Sequence, residues 1–408
     1  MRRSFLVLQG TASPFFSRLA DALRSRGHRA RRVNFCGGDL VYAGNGMSCD
    51  YTGSAGELAK WYADLLRADS VTDVILFGDC RTIHRPVHPA ARDQGATVHV
   101  FEEGYVRPHW LTLEQHGVNG RSLLPRDPSW YLSQRDSTPP RDLGRPTGYK
   151  LSVRAFHDIR YRASNTLHQA RFPNYRSHRP RNGFVEYAGL AARAIRQPLY
   201  DREAERVSRR LIAGKRPYYL LPLQVNADAQ IVHHSPFNSV RESIDVVLRS
   251  FALNAPAGHD LVVKNHPLDT GHFDYRGHVS RLSRELGIAD RVMFIDAGHL
   301  PTLLDHTRGV VLVNSTTGMS ALYHHCPLVA LGNAIYDMPG LTWQGGLDTF
   351  WRHAGPPDER LFQAFLDYVI YHTQINGDFY THKGIDMAVA GSVRRLEATR
   401  MEVSDAVT

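Results

Sequence analysis

Cysteine is scarce and unpatterned. The four in 408 residues, Cys36, Cys49, Cys80 and Cys326, form no CxxC pair. A disulfide framework is therefore excluded, and they read as reduced, partly buried thiols. The 22 histidines cluster only as His233-His234 and His324-His325, never in an HExxH frame, so no metal and no cofactor is expected. Long apolar runs are missing as well: no stretch approaches the roughly 20 residues that a membrane-crossing helix needs. The opening MRRSFLVLQG has two arginines and an apolar run, but that run covers only Phe5 to Leu8. It is too short for a signal-peptide core and reads as a first strand, so a cytoplasmic protein is expected. There is no GxGxxG, which removes the support for a dinucleotide. No aromatic RNP strand or basic zipper appears, so nucleic acid is not an expected partner.

The composition is 42% hydrophobic and 22% charged, that of a soluble globular chain long enough for two domains. Net charge is +9. The excess lies between Arg135 and Arg216, and arginine dominates over lysine. Such a surface suits an anionic partner, an acidic lipid surface or a charged sugar nucleotide, with bidentate contacts to phosphate or carboxylate.

Strand and helix patterns alternate from the N-terminus: strands at Ser4, Arg31, Val74 and Val98, with helices between them. This is a βαβ series with a parallel sheet. Pro108 to Pro146 is rich in turn residues, and Leu151 to Arg216 reads as an arginine-heavy helical connector. A second βαβ series opens at Tyr218, with strands at Asp260, Val292, Gly309 and Pro327. The expected division is residues 1–205 with the connector, residues 206–357, and terminal helices 358–408 that can pack back on the first half. The fold class is α/β, two Rossmann-like domains facing a cleft. That is the GT-B glycosyltransferase plan, although one plan serves many functions.

Ligands of such sheets bind at the carboxyl ends of strands, and four strand-end segments carry chemistry. Pro217 to Phe237, PYYLLPLQVNADAQIVHHSPF, is an apolar strand that breaks into a polar loop holding Gln224, Asp228, Gln230 and His233. Lys264-Asn265-His266-Pro267 follows another strand; the proline fixes a turn that sets Lys264 and His266 where a phosphate or ribose would meet them. Asn314-Ser315-Thr316-Thr317-Gly318 can converge hydroxyls and backbone N–H groups on an anion, or serve as an ordinary helix cap. In the first half, Glu102-Glu103 with Arg107 can form a structural ion pair, or face Asp228 and handle protons or a substrate carboxylate.

The ordered set FEEGYVRP, GVNGRSLLPRD, LQVNADAQI, VKNHPLD, VNSTTGMSAL and LGNAIYDMPGLT resembles the bacterial capsule polysaccharide biosynthesis family of KpsS/LipB type, over nearly the whole chain. It is similar, more distantly, to the KpsC-type Kdo transferases. The resemblance implies a metal-independent GT-B transferase. It would use CMP-Kdo to start the β-Kdo linker of capsular polysaccharide on phosphatidylglycerol or lysophosphatidylglycerol. It would act at the inner face of the cytoplasmic membrane, with a KpsC-type transferase and the export machinery as partners. On that reading residues 206–357 bind the CMP-sugar and residues 1–205 the acceptor.

Carried over, the resemblance implies that His266-Pro267 and Ser315-Thr316-Thr317 hold CMP, with Lys264 and Asn314 beside them. It also makes Asp228 the residue that carries the sugar as a covalent adduct. Retention by double displacement does need a carboxylate on the face opposite the departing phosphate. By position, Gln224 and Gln230 orient Asp228, His233 lies by the substrate, Glu102 or Glu103 is the base for the acceptor hydroxyl, and Arg107 meets the Kdo carboxylate. Two other readings stay open: a non-catalytic export or assembly component, and a transferase of another CMP-activated acidic sugar.

Overall fold

The computed structural model describes residues 2–44, 46–177, 183–214, 216–225 and 229–398. The chain begins with β1 (Ser4–Val7), α1 (Phe15–Ser25), β2 (Arg29–Asn34), α2 (Gly37–Val41) and β3 (Ser48–Asp50). Then come α3 (Leu58–Ala68), β4 (Asp73–Phe77), α4 (Val87–Gln94), β5 (Thr97–Glu103) and β6 (Trp110–Gln115). Helices α5 (Pro128–Gln134), α6 (Leu151–Leu167) and α7 (Gly183–Ala213) follow. The second series is β7 (Tyr218–Pro222), α8 (Ala229–His234), α9 (Val240–Asn254), β8 (Asp260–Lys264), α10 (Tyr275–Glu285) and β9 (Val292–Ile295). It continues with α11 (Leu300–His306), β10 (Gly309–Leu312), α12 (Thr317–Tyr323), β11 (Leu328–Ala330) and α13 (Leu347–His353). The chain closes with α14 (Glu359–Thr373), β12 (Gln374–Asn376) and α15 (His382–Ala398).

Contacts divide the chain into two units. The first is Met1–Leu123, Pro140–His178 and Val369–Thr408; the second is Leu124–Pro139 and Arg179–Tyr368. This differs from a cut at 205 and 357: α7 belongs to the second unit, and α15 to the first.

In the first unit the sheet order is β12-β6-β5-β4-β1-β2-β3. Its parallel part reads 3-2-1-4-5 in order of appearance, a Rossmann-type winding. The expectation of a wholly parallel sheet fails at one edge, where β6 pairs antiparallel with β5 and β12 antiparallel with β6. The physical reason is the short link between β5 and β6, which leaves no room for a crossover. Both faces are covered, and the period-2 alternation of β1 shows how. Phe5 and Val7 enter one core with Phe15, Leu19 and Leu396, whereas Leu6 and Leu8 enter the other with Leu58, Tyr62 and Leu66.

The second unit has a five-stranded sheet in the order β11-β10-β7-β8-β9, every pairing parallel. In order of appearance this too is 5-4-1-2-3. Its core gathers Tyr219, Leu221, Leu261 and Val311 from the sheet with Phe251, Phe350 and Trp351 from α9 and α13. Ser239 caps α9 by accepting the Glu242 N–H at 3.2 Å. No helix among the described residues is long and apolar enough to cross a membrane.

Candidate functional site

From β7 the second sheet grows first through β8 and β9, then returns to add β10 and β11 on the other side. The crossovers therefore leave β7 and β10 in opposite directions, and a crevice opens at the carboxyl ends of those two strands. Three of the expected segments share this edge: Gln224 follows β7, Lys264 ends β8, and Asn314 follows β10.

Gln224 and Asn314 are both buried and grip one another. Gln224 Nε2 donates to Asn314 Oδ1 at 3.1 Å, and the Asn314 N–H donates back to Gln224 Oε1 at 3.2 Å. Asn314 Nδ2 also donates to the His234 carbonyl at 3.0 Å. Two buried amides that satisfy each other fix the β7 and β10 loops as one piece. Gln224 thus has a structural partner that its expected role beside Asp228 did not foresee. Asp228 itself and the side chain of Gln230 lie outside the described residues. His233 is exposed on α8.

Ser315, Thr316 and Thr317 are half-buried at the start of α12. Thr316 sits at the N-cap position but makes no side-chain cap bond, so ordinary capping does not account for it. Ser315 Oγ accepts the Thr317 N–H at 3.1 Å, and the Tyr336 hydroxyl donates to the Ser315 carbonyl at 2.6 Å. A Cβ on Gly318 would stand 2.2 Å from the Tyr336 ring. Only glycine allows that approach.

Lys264 is 7% exposed. Burial, reinforced by Arg193 and partly offset by Asp296, pushes its pKa down. Its Nζ lies 3.5 Å from the Asn265 carbonyl. Asn265 is buried too and spends its amide on Asp296 at 2.7 Å and Asp269 at 3.1 Å, which pins the turn. His266 Nδ1 accepts the Leu268 N–H at 3.0 Å, so a neutral ring carries its proton on Nε2. Lys264 and Pro267 line a cavity of about 550 Å³ whose other walls include Arg193, Asp296, His299 and Thr302. Arg193 donates to the Asp296 carbonyl, while its Nε is buried with no hydrogen-bond partner. Arg193 and Asp296 escaped the sequence reading, which saw one arginine among many. A strand end at Ile295 was the available pointer to Asp296.

The basic excess is not all free surface. Arg154 pairs with Glu103, Arg162 with Asp158, Arg171 with Asp50 and Arg209 with Glu205.

In the first unit Glu102 and Glu103 end β5. Glu103 is held by Arg154 at 3.1 Å and by the Tyr380 hydroxyl at 3.2 Å, an ion pair with a different arginine from the expected Arg107. Glu102 accepts the Glu103 N–H at 3.0 Å. Arg107 is exposed, with its Nε 3.2 Å from the Gly104 carbonyl. This sheet has its own reversal point, between β1 and β4, and there Arg81 donates to Gln9 Oε1 at 3.2 Å and to the Gly10 carbonyl at 2.9 Å. Sequence alone could not bring these residues together, because the strand order is a tertiary property. All four cysteines are free thiols. Burial pushes Cys80 and Cys326 up to about 12 and raises Cys36 and Cys49, which removes them as nucleophiles near neutral pH.

Two Rossmann-type units in one chain, with polar side chains gathered at the carboxyl edge of each sheet, define an α/β protein of the composition from which GT-B folds are built. The family model for capsule polysaccharide biosynthesis proteins matches residues 72–380. The capsule polysaccharide export protein KpsS of Escherichia coli is 39% identical over 380 residues, 93% of this chain and 97% of that one. The capsule polysaccharide modification protein LipB of Neisseria meningitidis serogroup B is 34% identical over 384 residues, 93% of this chain and 92% of its own. Solved structures with a similar fold include the KpsC beta Kdo 2,7 transferase of Thermosulfurimonas dismutans, at 13% identity and a TM-score of 0.47, covering 96% of this chain and 99% of that one. The chain belongs to the capsule polysaccharide biosynthesis protein family.

Proposed function

We propose that the chain is a retaining glycosyltransferase of capsule assembly. It takes CMP-Kdo as donor and adds Kdo to a phosphatidylglycerol or lysophosphatidylglycerol acceptor, at the start of a poly-Kdo linker. The observation that carries this reading is the Gln224–Asn314 lock at the reversal point of the second sheet, with the Lys264–His266 turn on the neighbouring strand. Such a crevice is where α/β sheets take nucleotides. The buried Lys264 ammonium and Arg193 guanidinium suit the phosphate of CMP, and Asp296 suits a ribose hydroxyl. Ser315, Thr316 and Thr317 add hydroxyl donors.

The chemistry proceeds in two displacements. The Asp228 carboxylate attacks the anomeric carbon of Kdo as the bond to CMP breaks; the acceptor hydroxyl then displaces the carboxylate and gives up its proton. Glu102 or Glu103 is the base that takes that proton, with Glu103 held by Arg154 and Tyr380. CMP is a good leaving group, so donors around its phosphate matter more than a strong acid. The reaction calls for no metal and no cofactor. An anionic lipid acceptor places the enzyme on the inner face of the cytoplasmic membrane, in reach of a KpsC-type transferase and the export machinery.

Intact mass spectrometry after mixing with CMP-Kdo tests this. A sugar-sized increment mapped to Asp228, lost in Asp228→Ala together with all transfer, is the expected result. Full transfer activity in Asp228→Ala rejects the nucleophile. The export name of the Escherichia coli relative favours a second reading, a non-catalytic component that binds the lipid-linked polymer. Calorimetry with CMP and CMP-Kdo separates the two, since a component of that kind gives no heat with either. Transfer from another CMP-activated acidic sugar in preference to CMP-Kdo replaces the donor alone.

A further inference from the structure

Helix α6 is built inside out. Its inward stripe, at helical spacing, is polar: Arg154, His157, Tyr161, Ser164 and Asn165. Tyr161 donates to Asp39 at 2.8 Å, and Ser164 donates to the Gly37 carbonyl at 2.7 Å. Asn165 Oδ1 accepts the Gly38 N–H at 3.3 Å, and His157 Nδ1 lies 2.8 Å from the Tyr42 hydroxyl. The rotation of the helix is fixed by close approach to α2. A Cβ on Gly37 would stand 2.4 Å from the Ser164 carbonyl, and one on Gly38 would stand 2.4 Å from the Tyr161 ring.

The opposite stripe carries Phe156, Ile159, Ala163 and Leu167, and it faces out. Phe156 is 61% exposed, Ile159 53% and Leu167 79%, with Leu151 exposed beside them. A helix on a water-facing surface carries its apolar stripe inward. Here the apolar stripe faces outward, and no element among the described residues covers it.

The charge around the stripe identifies what covers it. Residues 140–177 hold eight cations (Arg141, Arg145, Lys150, Arg154, Arg160, Arg162, Arg171, Arg176) against two acids (Asp142, Asp158), and of the eight Arg154, Arg162 and Arg171 are already in ion pairs. Arg145, Lys150, Arg160 and Arg176 are exposed, and Tyr149, an aromatic residue suited to the headgroup level, is exposed next to them. An apolar stripe bordered by arginine and lysine is the pattern of a helix lying in the plane of an anionic lipid interface. A protein partner or a second copy would have to neutralise the same excess with a matching acidic face, and no such face borders the stripe on this segment.

We infer that α6 is an interfacial anchor: Phe156, Ile159, Ala163 and Leu167 enter the headgroup–acyl boundary of an anionic bilayer, with Lys150 and Arg160 on its phosphates. The inference deepens the lipid-acceptor part of the function proposed above and rests on that part alone.

The test is co-sedimentation of the full chain with phosphatidylglycerol/phosphatidylcholine vesicles and with pure phosphatidylcholine vesicles. Wild type partitions onto the anionic vesicles and less so as salt rises, while Phe156→Glu/Ile159→Glu loses partitioning by about tenfold or more. Unchanged circular dichroism and melting of the variant show that it folds. A variant that still binds like wild type, or a wild type that ignores anionic vesicles, overturns the anchor. So does a wild-type dimer in sedimentation velocity that the variant abolishes, since the stripe would then be a subunit interface. Transfer to a short-chain, water-soluble phosphatidylglycerol analogue separates the two proposals. Normal transfer by the variant with lost vesicle binding supports both, and vesicle binding by a wild type that transfers nothing rejects only the enzyme.

Discussion

His84 sits between β4 and α4 with its Nδ1 2.9 Å from the Gly78 carbonyl, while its Nε2 is buried with no hydrogen-bond partner. Protonation would place a second N–H where nothing accepts it. Burial, with Arg81 adding to it, accordingly pushes the His84 pKa from 6.5 down to about 3. The unfolded chain takes up that proton near 6.5, the folded chain only near 3. Between those values the unfolded state holds more protons, so stability is fully present above 6.5 and falls as pH drops toward 3. The loss is about 1.4 kcal/mol per pH unit at most, or roughly 2 kcal/mol between pH 6.5 and 5. His84→Gln keeps a donor for Gly78 and has no proton to gain. Urea unfolding at pH 7 and pH 5 is expected to show that much less acid sensitivity in the variant; an identical pH dependence would show that His84 does not titrate on unfolding.

At the scale of elements, the Gln224–Asn314 pair links the segments that follow β7 and β10. Gln224→Ala removes the donor to Asn314 Oδ1, and Asn314→Ala removes the acceptor of Gln224 Nε2, each at a cost of about 1–3 kcal/mol. The double variant is expected to lose less than the sum of the two, because the orphaned partner is gone as well. A denaturant double-mutant cycle measures the coupling, and additive losses would show that the loops are held by something else. Much of this architecture was legible in the sequence. Strands β8 at Asp260–Lys264 and β9 at Val292–Ile295 begin at the residues read from their apolar runs. Strand β6 was not legible, since Trp110 to Gln115 lies among turn residues and its pairing with β5 is a tertiary fact. The segments of the candidate site were legible as strand ends. The link between Gln224 and Asn314 was not, because 90 residues separate them and only strand order makes them neighbours.

The first unit, taken whole, is assembled from both ends of the chain. Strand β12 completes its sheet beside β6, and α15 packs against α1 over Phe15, Leu19 and Leu23. Arg3 donates to Asp73 and also to the Leu396 carbonyl, so the start of β1 holds the last helix. Burial pushes the Asp73 pKa up, yet hydrogen bonds from His99 and Arg3 outweigh it and hold the carboxyl well below the ordinary range. Ile375, Phe379, Tyr380, Ile385, Val393 and Leu396 are all core residues of this unit. At about 1.5–3 kcal/mol for each large side chain buried, together they are comparable to the roughly 5–15 kcal/mol by which a domain is stable. A chain ending at Tyr368 is therefore expected to lose hydrogen-exchange protection throughout β1–β6 while keeping it in β7–β11. Retained protection in β1–β6 would mean that the earlier strands suffice.

The same threading sets a timetable at the ribosome. The strands made first must wait for the segments made last, whereas the second unit has all of its polypeptide once Tyr368 has emerged. Translation at roughly 5–20 residues per second leaves the opening half incomplete for on the order of tens of seconds. Through that interval an apolar sheet face stands bare on the nascent chain, so the cell's demand for chaperones falls on the part of the message read earliest.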